Sequence, residues 1–217
     1  MIGVYDYTVI LTYLSLASSL LGMYQASQGN MVFAICCLIA SGVCDMFDGV
    51  VARTKKNRTE DEKGFGIQLD SLCDVVCFGV FPAVFLYFNG VNTVVGIIIL
   101  ILYVLCAVIR LAFFNVLESK RQKEEDGCAK FYRGLPVTTI AIILPIFFGI
   151  SYIIDHAGAN QIIYHILPAV VGFLFILDFK VPKPNIGKLF SKKNKEENED
   201  SLAEVAESEE NEASEVL

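Results

Sequence analysis

The chain has no tryptophan and only two histidines, His156 and His165, among its 217 residues. It has no Gly-rich loop ending in Lys-Ser or Lys-Thr, no Ser/His/Asp set and no Cys-x-x-Cys pair. Each absence removes a chemistry: phosphate cradling by a nucleotide loop, nucleophilic serine hydrolysis, and dithiol redox work. No basic segment precedes the first apolar run, so a cleaved signal peptide is not expected. Basic residues are also missing from Glu196–Leu217, which holds nine Glu and one Asp. The formal charge of −7 therefore belongs to the tail, and the rest of the chain is slightly basic. Nucleic acid is not an expected partner, and the tail reads as disordered and solubilising.

What the chain has in abundance is apolar sequence. It is 54% hydrophobic, and runs long enough to cross a bilayer recur along it. Six spans can be drawn: Tyr7–Gln25, Met31–Val51, Phe65–Phe88, Val94–Phe114, Leu135–Ile154 and Ile162–Phe179. The expected fold class is all-α, a polytopic membrane protein with six transmembrane helices. Residues 1–180 form its membrane domain and residues 181–217 a basic-then-acidic cytoplasmic tail.

Alternate connections differ sharply in charge. Ser27–Asn30, Asn89–Asn92 and Asp155–Asn160 carry no Lys or Arg. All 17 basic residues fall in the other set, five in Arg53–Lys63, six in Arg110–Arg133 and six in Lys180–Lys195. The positive-inside rule then places both termini and the two long loops in the cytoplasm of an integral cell-membrane protein. His156 and His165 fall on the outer side and receive no role.

Against this background the acidic residues inside the spans stand out. Asp45, Asp48 and Arg53 close the second span, and Asp70 and Asp74 open the third at the same face. Charges at that depth are costly and mark a functional site by default. On a helix advancing about 100° per residue, Asp45, Asp48, Gly49 and Ala52 share an arc of roughly 100°. Gly66, Asp70 and Asp74, each one turn from the next, also line one face. If the two helices are neighbours, four carboxylates converge just below the cytoplasmic interface. A bound divalent cation is the simplest remedy for their repulsion. Cys73 and Cys77 share the aspartate face, but a hard cation prefers oxygen, and the buried cysteines read as small apolar residues. The segment Asn57–Lys63 between the half-sites reads as a solvated loop.

Two cations are candidate contacts for an anionic substrate group. Arg110 follows the nearly unbroken apolar run Val94–Ile109 of the fourth span, and Arg133 precedes the fifth. For Arg110 the alternative is snorkelling to a lipid headgroup, and for Arg133 it is anchoring at the interface. Pro145 is expected to kink the fifth span, and Thr138 and Thr139 to satisfy backbone or neighbouring helices. Gly49, Ala52 and Gly66 keep the helix faces low enough for a bulky headgroup. Carboxylates, divalent metal and basic residues at a lipid–water boundary together suit phosphoryl-group transfer from a lipid donor to a small alcohol.

The pattern Asp45-x2-Asp48-Gly49-x2-Ala52-Arg53, then Gly66-x3-Asp70-x3-Asp74, resembles the signature of the CDP-alcohol phosphotransferases, with all eight specified residues present. One departure is the twelve residues between Arg53 and Gly66, four more than the family usually has. They fall in the hydrophilic connection and leave both half-motifs intact. The surroundings, Phe65–Asp74, Phe78–Ala83, Arg110–Asn115 and Gly134-Leu135-Pro136, are similar to the integral-membrane phosphatidylserine synthase branch.

The resemblance implies a homodimer with a site in each protomer, and Asp45, Asp48, Asp70 and Asp74 around Mg²⁺ or Mn²⁺, with two ions expected. It implies Asp74 as the catalytic base. Asp48, Gly49, Ala52, Arg53, Gly66 and Asp70 would contact the CDP-lipid, and Arg110, Asn115 and Arg133 the phosphate or acceptor. CDP-diacylglycerol and L-serine are the implied substrates, with glycerol 3-phosphate or inositol phosphate as other acceptors. From a different class, a cation transporter is the rival, although its carboxylates would be expected at the midplane.

Overall fold

A computed structural model describes residues 7–55, 59–123, 131–154, 161–178 and 180–182. The chain divides into two compact units, Met1–Ala129 with Arg133–Lys180, and Lys130–Tyr132 with Val181–Leu217. The first is helical. The described part of the second belongs to two three-residue strands, β1 (Phe131–Arg133) and β2 (Lys180–Pro182), which pair with each other. The acidic tail and His156 lie outside the described residues.

A 3₁₀ turn, Tyr7–Val9, leads into α1 (Ile10–Ser27), which returns through a tight turn as α2 (Met31–Thr54). Gly29 makes that turn with φ of +82°, a left-handed conformation that favours glycine. Small residues let the two helices approach, which is how helices associate where lipid is as apolar as leucine. Ser15, Ser19, Gly22 and Ala26 of α1 are buried, as are Ala34, Cys37 and Ser41 of α2. Hydroxyls finish the seam: Ser15 and Ser41 Oγ lie 2.7 Å apart, and Ser19 Oγ donates to Ser41 Oγ at 2.9 Å. A methyl group on Gly22 would overlap the Phe81 ring and come within 2.9 Å of Cys37 Cβ.

The third rod is α3 (Glu60–Asp74), a π-helical turn (Val75–Val80) and α4 (Phe81–Phe88) in unbroken succession. Its start corrects the loop expected at Asn57–Lys63. Thr59 Oγ1 accepts from the Glu62 amide at 3.2 Å, and Glu62 Oε2 accepts from the Thr59 amide at 3.0 Å. This reciprocal capping box lets the helix begin six residues before Gly66. Most of the unusually long Arg53–Gly66 connection is therefore helix.

The π turn follows Asp74 directly. Pro82 has no N–H to offer the carbonyl four residues before it, that of Phe78. The Tyr103 hydroxyl donates to that oxygen at 2.6 Å from α5 (Val94–Lys123). Tyr103 is fully buried and its ring packs 5.7 Å from Phe175 of α7 (Gln161–Ile176). Proline, π turn and tyrosine thus lock the floor beneath Asp74 to α5 and α7.

A second 3₁₀ turn (Val137–Thr139) opens α6 (Ile140–Ile154), where Thr139 Oγ1 donates to the Pro136 carbonyl at 2.6 Å. That is the backbone role expected of the threonine. Pro145 lies inside α6, and Pro168 lies inside α7.

Among the described residues, four helical rods are long and apolar enough to cross a membrane: Tyr7–Ser27, Met31–Ala52, Glu60–Phe88 and Val94–Leu117. The fifth and sixth expected spans are shorter apolar helices, Val137–Ile153 and Ile163–Ile176. Outward-facing Val94, Ile153 and Phe173 are more than 60% exposed, as lipid-facing side chains are when no lipid is present.

Candidate active site

The antiparallel turn between α1 and α2 brings Thr12 beside Asp48, and the α2–α3 connection returns Asp70 and Asp74 to the level of Asp45. Carboxylate oxygens of Asp45, Asp70 and Asp74 lie within 4.8 Å of one another. Asp74 is buried, while Asp45 and Asp70 are half-buried. Two full negative charges 4.8 Å apart repel by roughly 3.5 kcal/mol at an effective dielectric of about 20. Such a trio is a poor arrangement unless something positive sits within it.

Asp70 adds a second sign. Its Oδ1 is buried and has no hydrogen-bond partner among the described residues. An orphaned anionic oxygen is costly, and a cation between the carboxylates would satisfy it. The donor set is all oxygen, which suits Mg²⁺ or Mn²⁺. The residues present therefore fit a hard divalent ion.

The fourth expected ligand, Asp48, lies beside Asp70 at the edge of the trio. Asp48 Oδ2 accepts a hydrogen bond from Thr12 Oγ1 at 3.1 Å, so α1 holds this carboxylate. Thr12 carries no charge to mark it in the sequence, but it belongs to a periodic pattern. Thr8, Thr12, Ser15, Ser19, Gly22 and Ala26 recur at intervals of four and three, a small and polar stripe on one helix face. The same end of the seam is tied by Tyr7 Oη and Thr54 Oγ1, 3.2 Å apart. Lys55 Nζ and Glu62 Oε1, 3.2 Å apart, bridge the end of α2 to the start of α3.

Gly49 lies on the exposed side of the acidic group, and a Cβ built on it would meet no atom within 4 Å. Nothing in the protein's own packing demands glycine there. Space above the helix backbone is what a bulky ligand would use.

The CDP-alcohol phosphatidyltransferase family model matches residues 7–176, which contain the whole acidic constellation. The chain belongs to this family. It is 41% identical over 117 residues to the CDP-diacylglycerol–serine O-phosphatidyltransferase of Saccharomyces cerevisiae, covering 52% of this chain and 40% of that protein. It is 34% identical over 144 residues to the archaetidylserine synthase of Methanothermobacter thermautotrophicus, covering 64% and 56%. A CDP-diacylglycerol–serine O-phosphatidyltransferase of Methanocaldococcus jannaschii is 36% identical over 144 residues, covering 66% and 61%. The chain spans about half the length of these curated relatives.

Around the family signature, the other expected contacts fall in different surroundings. Arg110 is buried, with Nε donating to the Leu135 carbonyl at 3.2 Å. It therefore does not snorkel outward. Gly134, at φ +70°, allows the fit: a Cβ there would lie 3.5 Å from Arg110 Cζ and 3.0 Å from the Leu177 carbonyl oxygen. Asn115 accepts from Ser71 Oγ at 2.7 Å, which connects α5 to the residue next to Asp70. The side chains of Arg53 and Arg133 lie outside the described residues. Cys73 and Cys77 are free thiols, and neither joins the carboxylate group. His165 Nε2 sits 3.2 Å from Thr93 Oγ1 at the opposite end of α5.

Proposed function

We propose that this chain transfers a phosphatidyl group from CDP-diacylglycerol to the hydroxyl of L-serine, giving phosphatidylserine and CMP. The observation that carries the reading is the convergence of Asp45, Asp70 and Asp74 from two helices, in the register of the family signature. Serine as acceptor is supported by the names of the relatives, each of which specifies a serine-linked product or substrate.

Asp45, Asp70 and Asp74, with Asp48 at the rim, are the residues that would hold Mg²⁺ or Mn²⁺, and two ions are part of the proposal. A bound divalent ion supplies charge neutralisation for a diphosphate and its leaving group. Asp74, the most buried of the trio, accepts the proton of the attacking hydroxyl at a carboxylate oxygen. The freed oxygen bonds to the phosphorus that carries diacylglycerol. The bond from that phosphorus to the CMP oxygen breaks, and the proton leaves Asp74 for solvent before the next turnover. Thr12 fixes Asp48, Gly49 and Ala52 leave room for the CDP moiety, and Gly66 and Arg53 complete that wall. Arg110, Asn115 and Arg133 serve the phosphate and carboxylate end.

Both termini and this site lie on the cytoplasmic side, as the distribution of Lys and Arg supports. A polar headgroup then enters from water while its acyl chains stay in lipid. The homodimer and the boundary of the catalytic domain at residue 180 belong to the same proposal.

The test is CMP release by the purified chain with Mn²⁺, comparing L-serine, glycerol 3-phosphate and inositol phosphate, and CDP-diacylglycerol against CDP-archaeol. Release with serine alone supports the acceptor, and the two donors report which lipid is used. Release only with another alcohol overturns serine. No release with any alcohol, together with cation flux in vesicles, overturns the transferase in favour of a transporter.

A further inference from the structure

Ser71 directly follows Asp70 on α3 and is buried, 8% exposed, where its hydroxyl donates to Asn115 Oδ1 of α5 at 2.7 Å. A helical serine commonly turns its hydroxyl back to a carbonyl one turn earlier. Here it reaches across to another helix instead. A side-chain amide has an acceptor at Oδ1 and two donors at Nδ2. With Oδ1 taken by Ser71, Nδ2 points away from Ser71. Among the described residues, the Asn115 side chain makes no hydrogen bond other than the one from Ser71.

An amide rotates by half a turn with little change in shape, so something must decide which end faces a ligand. If Oδ1 faced an anion, acceptor would meet acceptor. A lysine or arginine would compete with a metal cation for carboxylates, whereas a neutral amide donor does so far less. We propose that Ser71 is a positioning residue: it holds Asn115 Oδ1 so that the Nδ2 donors face an anionic oxygen of a bound substrate. That oxygen is a carboxylate of the acceptor or a phosphate of the lipid donor. The inference rests on the transfer reading above and assigns Ser71 a part that the family signature does not include.

The test is steady-state CMP release by full-length wild type, Ser71→Ala, Ser71→Thr, Asn115→Ala and the double variant, in Mn²⁺. The acceptor is varied at saturating CDP-diacylglycerol, and the lipid at saturating acceptor. The wild type first establishes which alcohol is used, and that alcohol is the one varied. Failure of serine as acceptor and failure of the Ser71 role are thereby read separately. Ser71→Ala is expected to raise KM for one substrate about tenfold, as for loss of one oriented hydrogen bond to a charged group. Turnover should stay within about threefold, the pattern of lost uniform binding. Ser71→Thr, which keeps the hydroxyl, should restore KM. In the Asn115→Ala background, Ser71→Ala should change nothing further. A rise in the acceptor's KM identifies the carboxylate, and a rise in the lipid's KM identifies the phosphate. A fall in kcat with both KM values unchanged, or effects of Ser71→Ala and Asn115→Ala that multiply, overturns the proposal.

Discussion

Replacing Asp74 by asparagine keeps the side chain's shape and removes one charge from the trio. Asp74 faces Asp45 and Asp70, with carboxylate oxygens within 4.8 Å. Each pair of full charges contributes at least roughly 3.5 kcal/mol of unscreened repulsion at an effective dielectric of about 20. Asp45 and Asp70 are partly exposed, so solvent screens some of this. Without metal, Asp74→Asn should therefore melt several degrees higher than wild type, as expected when about 1–2 kcal/mol survives the screening. With saturating Mn²⁺ the order should narrow or reverse, because wild type gains more from the ion. Turnover should move the other way. Loss of a general base costs on the order of 10²- to 10⁴-fold, while appreciable binding of the CDP-lipid persists. Two assays suffice: a melting curve with chelator and with Mn²⁺, and CMP release from CDP-diacylglycerol and serine. Normal turnover by the variant would refute Asp74 as base. A metal-free variant less stable than wild type would refute the claim that repulsion, relieved by a cation, governs the trio.

Gly49→Ala adds a methyl group that meets no protein atom within 4 Å. Its melting temperature should match or slightly exceed wild type, since alanine favours a helix interior, while KM for the CDP-lipid rises several-fold, and an unchanged KM would remove Gly49 from the binding surface. Tyr103→Phe withdraws the hydroxyl from the Phe78 carbonyl, to which it donates at 2.6 Å. Loss of that bond should cost about 1–3 kcal/mol of stability, seen as a lowered melting temperature. Chelation should abolish CMP release, and Mn²⁺ or Mg²⁺ should restore it. Release that persists after exhaustive chelation would contradict the metal reading.

Much of the site was legible because its signals are local. A carboxylate in an apolar run is costly wherever the run packs, so Asp45, Asp48, Asp70 and Asp74 declared themselves without a partner in view. Helical periodicity then assigned each half-site a face. The start of α3 was equally local, since Thr59 and Glu62 form a capping box at the expected spacing. The charged run around them reads as a loop only if that box is overlooked.

By itself, then, the sequence determined which segments are apolar enough for a membrane and which charges inside them require an explanation. It also carried the eight-residue signature, complete despite a long connection. Only the tertiary structure decided which carboxylates meet. Asp45, Asp70 and Asp74 form the trio, and Asp48 joins it beside Asp70 while also accepting from Thr12, 36 residues away. Likewise it joined Ser71 to Asn115 across 44 residues, and it sent Arg110 inward to the Leu135 carbonyl. The physical reason is the same in each case. A helix's face follows from its own spacing, but a hydrogen bond between helices needs their relative rotation and register. Those are set by the small residues and turns of the whole bundle at once.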